Sequence, residues 1–450
     1  MRKGEAGKEF CCGGTIMTTE LEAAGLIVNH NRLKELRPPA LPDRVWIWDE
    51  TLRDGEQTAG TLLTVDEKIE IAKLMDEIGV AVIAAGFPMV SKEERETIRR
   101  LSKEGFRNAT IAAPARAVLD DVKACIEAGA QEIPIFIACS RLRLEYQLRM
   151  TLDEAVQRLV ECVQYAVDHG AKADYIMEDA TRSDLGSIAR MAAAAVDAGA
   201  HKVVIADTVG FCRPDVMRYI VEQVRRRMAE ITKRRAVFGV HCHDDFGLAT
   251  ANTLAGVEAG VTFPHVCVNG FGERAGNAAF EEVVMALEVL YGVKTGVKTE
   301  RLYELAQLVE RSFAIPIPVH KAIVGQNAFH HGSGIHVHAE LAHSLSYEPI
   351  SPEQVGRQRS FYLGKFAGRH LIDFILKKNG ITASEKQIGE LAEELKRRHA
   401  AQDKRVILDR FDRCKADFAK LKADLSEEEL LALARSRVKQ APKSGRRKAG

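Results

Sequence analysis

No stretch of this 450-residue sequence approaches the ~20 consecutive apolar residues that a transmembrane helix needs. A helical membrane protein is therefore not expected. Charge of one sign is also lacking. Lys and Arg total 64 against 63 Asp and Glu, which gives no support for nucleic-acid or general anion binding. The nine cysteines include no C-x-x-C spacing, and only Cys11 and Cys12 are adjacent. An odd number without framework spacing argues for a reducing cytoplasm rather than a disulfide scaffold. The first sixteen residues have no apolar core and read as neither a secretory leader nor a folded segment; Met17 offers an alternative start. There is no internal repeat of solenoid period. No G-x-G-x-x-G follows the first strand, which counts against an open dinucleotide-binding sheet.

What the sequence does contain is a rhythm. Short apolar, β-rich runs at 45–49, 80–86, 109–113, 132–139, 173–178, 202–207, 237–241 and 264–268 read as strands. Amphipathic stretches at 65–78, 92–103, 118–128, 152–168, 185–198, 214–229, 248–259 and 280–290 read as helices. Several of these stop at a glycine where a C′ cap belongs, at Gly79, Gly129 and Gly260. Eight strand–helix units in roughly 250 residues predict a closed (β/α)8 barrel, an α/β fold, over 45–295. An N-terminal extension (1–44) precedes it. After Val293 the rhythm ends, and a small helical C-terminal subdomain is expected over 296–400. It begins with a helix at 300–313, followed by the linker Pro316-Ile317-Pro318, a glycine- and histidine-rich segment at 325–336, and helices at 371–378 and 385–399. A charged helical tail (401–450) ends in a basic, solvated run.

Two segments carry the chemistry. His241-Cys242-His243-Asp244-Asp245 ends the seventh strand, and Thr51-Leu52-Arg53-Asp54-Gly55-Glu56 follows the first. Strand side chains repeat every two residues, so His241 and His243 share a face and offer two nitrogen ligands to a divalent metal. Cys242 should point the other way and pack. In a closed barrel the eighth strand returns beside the first, so Asp54 joins the histidines on the C-terminal face, where barrel active sites lie. Asp54, His241 and His243 are thus candidate metal ligands, and Arg53 beside them suits an anionic substrate held by that metal. Competing readings are a packed core histidine at 241 and a surface ion pair at Arg53. Asp244 and Asp245 fit either carboxylates that fix the imidazoles or acids at a helix N-terminus.

Three motifs in order resemble a known family: Asp49-Glu50-Thr51-Leu52-Arg53-Asp54-Gly55-Glu56-Gln57, His241-Cys242-His243-Asp244-Asp245-Phe246-Gly247, and Asn269-Gly270-Phe271-Gly272-Glu273-Arg274-Ala275-Gly276-Asn277. The chain is similar, from about Val45 to Gly380, to the metal-dependent barrel synthases that include 2-isopropylmalate synthase and homocitrate synthase. The resemblance implies an acyltransferase that joins acetyl-CoA to a 2-oxo acid and hydrolyses the thioester. It also implies a homodimer whose subdomains reach the partner's active site. It adds Asn277 to the metal ligands, and the mixed N and O donor set suits Mn²⁺, Zn²⁺, Co²⁺ or Mg²⁺. It assigns Thr208 to the substrate carboxylate and Glu178 to the neighbourhood of the acetyl group, although Glu178 could instead pair with Arg182. It gives His336 acid/base duty, with Tyr347 as companion. The loop at 269–279 has no cysteine, unlike the related acyl-CoA lyases, which favours condensation over cleavage.

The acceptor is less defined. Homocitrate synthases of the lysine pathway carry an arginine upstream of the glutamate matching Glu178, where this chain has Asp174-Tyr175-Ile176-Met177. A distal carboxylate would therefore need Arg116. Gln57, Arg116 and Asn269 complete the expected substrate contacts. The tail after Gly380 is short and charged for a leucine-sensing domain, which tilts the expectation toward a homocitrate-synthase-like enzyme. 2-Isopropylmalate, citramalate and phosphonomethylmalate synthases remain alternatives, with an acyl-CoA lyase as the reading from another class.

Overall fold

The eight barrel strands in the computed structural model are β1 (Trp48–Asp49), β2 (Val82–Ala84), β3 (Thr110–Ala112), β4 (Glu132–Ala138), β5 (Lys172–Glu178), β6 (Lys202–Asp207), β7 (Val237–Cys242) and β8 (Phe263–Val266). The structure describes residues 18–332, 339, 343–364, 366–420 and 425–437. Neighbouring strands pair in parallel, and Trp48 of β1 lies opposite both Val82 and His265, which closes the barrel. The join between β3 and β4 is thin: Ala112 faces Glu132, and the pair Ala115–Arg116 resumes the ladder beyond Pro114.

Between the strands lie α1 (Val65–Ile78), α2 (Lys92–Leu101), α3 (Leu119–Ala128), α4 (Leu152–Asp168), α5 (Leu185–Asp197), α6 (Pro214–Ile231), α7 (Ala249–Glu258) and α8 (Phe280–Met285). Their starts follow local chemistry. Thr64 before α1 and Thr151 before α4 each form a capping box, with Glu67 and Glu154, satisfying backbone N–H groups that a helix start leaves open. Gly79 ends α1 at φ 101°, and a Cβ there would lie 2.5 Å from the Gly296 carbonyl oxygen, so only glycine fits.

All eight expected strand–helix units are present, with trimmed ends. The strand expected over 45–49 keeps only two ladder residues, because Val45 and Trp46 donate to Lys294 and Thr262 carbonyls outside the strands. The helix expected over 280–290 loosens after Met285 into a π-helical turn that stops at Gly292. Beyond the barrel, α9 (Leu302–Phe313) buries Leu302, Leu305, Ala306, Val309 and Phe313 in the main core. Then α10 (Arg369–Lys378) and α11 (Glu385–Ala400) pack through Ile372, Ile388 and Ala392. The last two, α12 (Lys404–Lys420) and α13 (Glu427–Arg437), bury no residue. No described helix is long and apolar enough to cross a membrane.

Even-numbered residues of β4, β5 and β6 face the barrel axis, and they form layers. At the base, Lys202 pairs with Glu132 and lies 3.6 Å from an Asp174 carboxylate oxygen. Its ammonium also sits 4.7 Å from the Phe263 ring centre and 5.2 Å from that of Trp48. Burial, with the charge of Glu132 beside it, pushes the Asp174 carboxyl well above its usual range. Burial opposes ionisation of Glu132 too, but hydrogen bonding with Asp174 and the Lys202 charge bring it below its usual value. The base thus pairs Lys202 with Glu132 and sets beside them an acid whose ionisation burial opposes, closed over by aromatic rings. Trp48 in turn stacks on His265, 4.6 Å between ring centres.

Candidate active site

At the other end of the barrel, the histidines of β7 and the turn after β1 meet. His241 Nε2 and His243 Nε2 are 3.2 Å apart, and Asp54 Oδ2 lies 3.7 Å from the first and 4.0 Å from the second. Two ligands at about 2.0–2.1 Å from one ion and about 100° apart would be separated by about this N···N distance. Burial and the neighbouring ring push His241 down to about 3, so its imidazole is neutral and keeps a lone pair for a cation. Burial opposes ionisation of Asp54 as well, but Arg53 and the two imidazoles hold its carboxyl below the usual carboxylate range.

Asn277 completes the cluster. Its Nδ2 donates to Asp54 Oδ1 at 2.8 Å, while its Oδ1 is buried without a hydrogen-bond partner. An orphaned buried carbonyl oxygen next to two imidazoles and a carboxylate is what a hard or borderline cation would satisfy. The residues therefore fit a divalent ion. Gly272 permits the close approach: a Cβ there would lie 2.1 Å from Asn277 Nδ2.

Arg53 faces the same cavity. Its Nε donates to Glu50 Oε2 and its Nη1 to Asp54 Oδ2, both at 2.8 Å. Burial works against the guanidinium charge, yet Glu50 and Asp54 hold it above its ordinary range. This excludes a surface ion pair. Glu50 was not singled out in the sequence, although its i,i+3 spacing to Arg53 was a readable signal. Nor was His265, whose Nδ1 lies 3.1 Å from Glu50 Oε1 but off the line of a hydrogen bond. Glu50, His241 and His265 form a second possible ligand group. The orphaned Asn277 Oδ1 lies beside Asp54 and not in that group, which makes Asp54, His241 and His243 the better set.

Arg53→Lys keeps the charge but loses the planar fork. Steady-state turnover should fall on the order of 10²-fold, the effect of removing one directed donor to developing oxyanion charge. Near wild-type turnover would make Arg53 a structural residue.

Glu178, at the end of β5, lines the cavity and is held by Arg143 Nη1. Burial raises its carboxyl, and the Arg143 charge works against that rise. The expected alternative partner, Arg182, instead grips Asp179 with two hydrogen bonds of 2.7 and 3.0 Å. Asp179 also adopts φ 61°, a left-handed conformation that non-glycine residues rarely take. The Asp179 N–H donates to Thr208 Oγ1 at 2.8 Å, leaving that hydroxyl its own hydrogen to donate. Thr208 and Gln57 both line the cavity.

Five expectations are corrected or fall elsewhere. Arg116 does not reach the cavity: it is half exposed and paired through two nitrogens with Asp121, at 2.7 and 2.9 Å. The homocitrate-like reading loses the group on which it relied for a distal carboxylate. Asn269 does not line the cavity: at φ 60° its Nδ2 donates to the Ala306 carbonyl of α9 at 2.9 Å. Asp244 accepts from Ala249 N at the start of α7, and Asp245 pairs with Arg274, so neither holds an imidazole. Tyr347 is described and half exposed, but it is not among the residues lining the cavity. His336 lies outside the described residues.

The HMGL-like family model matches residues 44–309, and the homocitrate synthase post-HMGL domain-like model matches residues 323–404. An Ignicoccus hospitalis protein named "Probable 2-isopropylmalate synthase" is 48% identical over 357 residues, covering 79% of this chain and 88% of that protein. A 2-isopropylmalate synthase of Methanocaldococcus jannaschii is 46% identical over 348 residues, covering 77% and 66%. A homocitrate synthase of Methanopyrus kandleri is 45% identical over 371 residues, covering 82% and 91%. Among solved structures, the Pseudomonas aeruginosa hydroxymethylglutaryl-CoA lyase shares the fold, with a TM-score of 0.54 at 23% identity, covering 64% of this chain and 97% of that one. With its barrel, its Asp54–His241–His243 cluster and these relatives, the chain belongs to the HMGL-like family, in the group that holds the 2-isopropylmalate and homocitrate synthases.

Proposed function

We propose that the protein condenses acetyl-CoA with a 2-oxo acid and hydrolyses the resulting thioester, releasing CoA and a 2-hydroxy di- or tricarboxylate. The observation that carries this reading is the convergence of Arg53 on the Asp54–His241–His243 cluster in one cavity. Asp54, His241 and His243, with Asn277 alongside, would hold Mn²⁺, Zn²⁺, Co²⁺ or Mg²⁺, which when bound would supply Lewis-acid polarisation of the acceptor carbonyl. Arg53 aims fixed donors at the oxygen on which charge develops as the new C–C bond forms. Thr208 donates its hydroxyl hydrogen to the acceptor carboxylate and fixes its orientation. Glu178, kept beside Arg143, faces the acetyl group; the proton leaving the acetyl methyl passes to a base of this site, and the alkoxide formed at the acceptor carbonyl takes up a proton to become the 2-hydroxyl. Water then cleaves the thioester.

His336 supplies acid/base function from the subdomain at 296–400, with Tyr347 as companion, and the working unit is a homodimer. An imidazole suits that duty because its unperturbed pKa of ~6.5 is near working pH. The cysteines of the sequence, odd in number and without framework spacing, suit a reducing, cytoplasmic setting. His336→Ala should leave metal content and 2-oxo acid binding nearly unchanged while depressing turnover; undiminished turnover would remove His336 from the mechanism. The activity itself is tested by thiol release from acetyl-CoA with a panel of 2-oxo acids and each of the four metals. Failure of every combination overturns the condensing reading.

A further inference from the structure

The cavity has two unlike sides. Arg53, Asp54, His241 and His243 occupy one, the side that would anchor the carbonyl and carboxylate of an acceptor. Across the barrel from them, the end of β3 with β4 and β5 forms an apolar wall of Pro114, Pro134, Phe136 and Ile176, with Ala206 at its edge beside His241. The strands place these residues by alternation. Phe136 and Ile176 lie opposite each other across β4 and β5, and Ala206 lies opposite His241 across β6 and β7. Ile176 sits one inward step below Glu178 and one above Asp174. The cavity measures about 270 Å³.

We infer that the acceptor is a 2-oxo monocarboxylic acid with a short apolar side chain, and that Ile176 is the residue that selects it. This rests on the condensing reading above and narrows it. The part of the acceptor beyond its anchored 2-oxo acid end must lie against the apolar wall. A second carboxylate there would be desolvated, a cost that only a facing cation could offset. Among the described residues, every nearby cation is committed elsewhere. Arg116 is turned outward onto Asp121. Arg143 is held by Glu178 and lies 3.7 Å from Asp179. Arg274 is paired with Asp245. Lys202 is held by Glu132 at the base of the barrel, over the Trp48 and Phe263 rings. Arg53 already serves the anchored end.

The acetyl thioester must share this cavity with the acceptor, which favours a short side chain. Hydrophobic pockets discriminate a single methylene by about 10–200-fold, so selection among apolar acceptors is graded. Rejection of a distal carboxylate should be steeper.

The test is kcat/KM for CoA release with pyruvate, 2-oxobutanoate, 2-oxoisovalerate and 2-oxoglutarate, at one fixed metal and saturating acetyl-CoA. At least one apolar acid should exceed 2-oxoglutarate by about 100-fold or more. In Ile176→Ala, the ratio of 2-oxoisovalerate to pyruvate should rise, with metal content unchanged as the sign of an intact site. Equal or better use of 2-oxoglutarate by the wild type overturns the inference. So does an Arg143→Gln protein that loses a wild-type 2-oxoglutarate activity, because Arg143 would then be the missing cation. An unchanged acceptor ratio in both Ile176→Ala and the milder Ile176→Val removes Ile176 as selector. Release with no 2-oxo acid at all is a different outcome: it overturns the condensing reading itself.

Discussion

Asp54→Ala and His241→Ala proteins are expected to fold, to retain no divalent metal, and to lose CoA release by more than the ~100-fold that removal of an outer-shell partner brings. The two side chains supply two of the three strong donors of the cluster, and neither is needed to close the barrel. Asp54 sits in the turn after β1, and Arg53 keeps its contact with Glu50 when Asp54 is removed. Metal content measured on the purified variants, with circular dichroism as the check on folding, separates loss of the ion from loss of the fold. Chelation of the wild type should give the same inactive state, reversed by adding metal back. Full turnover in a verified metal-free preparation would end the proposed mechanism.

Lys202→Met should destabilise the protein by about 3–5 kcal/mol, the cost of leaving a buried charge without its partner. The substitution keeps an unbranched apolar stem of four heavy atoms, with sulfur in place of Cδ, and removes the ammonium. Glu132 would be left facing Asp174 inside a dry barrel, with Trp48 and Phe263 robbed of the cation between them. Replacing Glu132 by glutamine in the same chain should recover part of the loss, since the orphaned charge is then gone. Urea unfolding at neutral pH measures both. A cost below about 1 kcal/mol for the single variant would mean that water reaches the barrel base, contrary to the burial of all three side chains.

The barrel was legible because its signals are local and repeated: apolar runs of strand length, amphipathic stretches, and glycines at helix ends such as Gly79 and Gly129. The metal cluster was legible because H-x-H on a strand fixes both imidazoles on one face, and closure of the barrel brings Asp54 to them. Side-chain direction outside regular strands was not legible. Asn269 sits in a motif that suggests ligand contact, but its positive φ turns the amide toward α9. Arg116 stands two residues past a proline that ends β3, and only the structure reveals that Asp121 holds it outward. Arg143 was missed for the opposite reason. It lies in a short helical turn after β4, Arg141–Arg143, too brief for periodicity to say which way a side chain points, yet it reaches Glu178.

The charge cluster at the barrel base also bears on how such an enzyme can change its acceptor. Position 174 lies two residues from Ile176 on the same inward face, so it is a natural place to install a cation for a distal carboxylate. In this chain Asp174 shares a closed compartment with Lys202. An arginine introduced there would set two cations against Glu132 alone, and the cost would fall on folding before any new substrate could reward it. Lys202 would have to be neutralised first. The order of substitutions is thus constrained from below the active site, and the ancestry of a specificity change in this barrel should be written in its base as well as at its mouth.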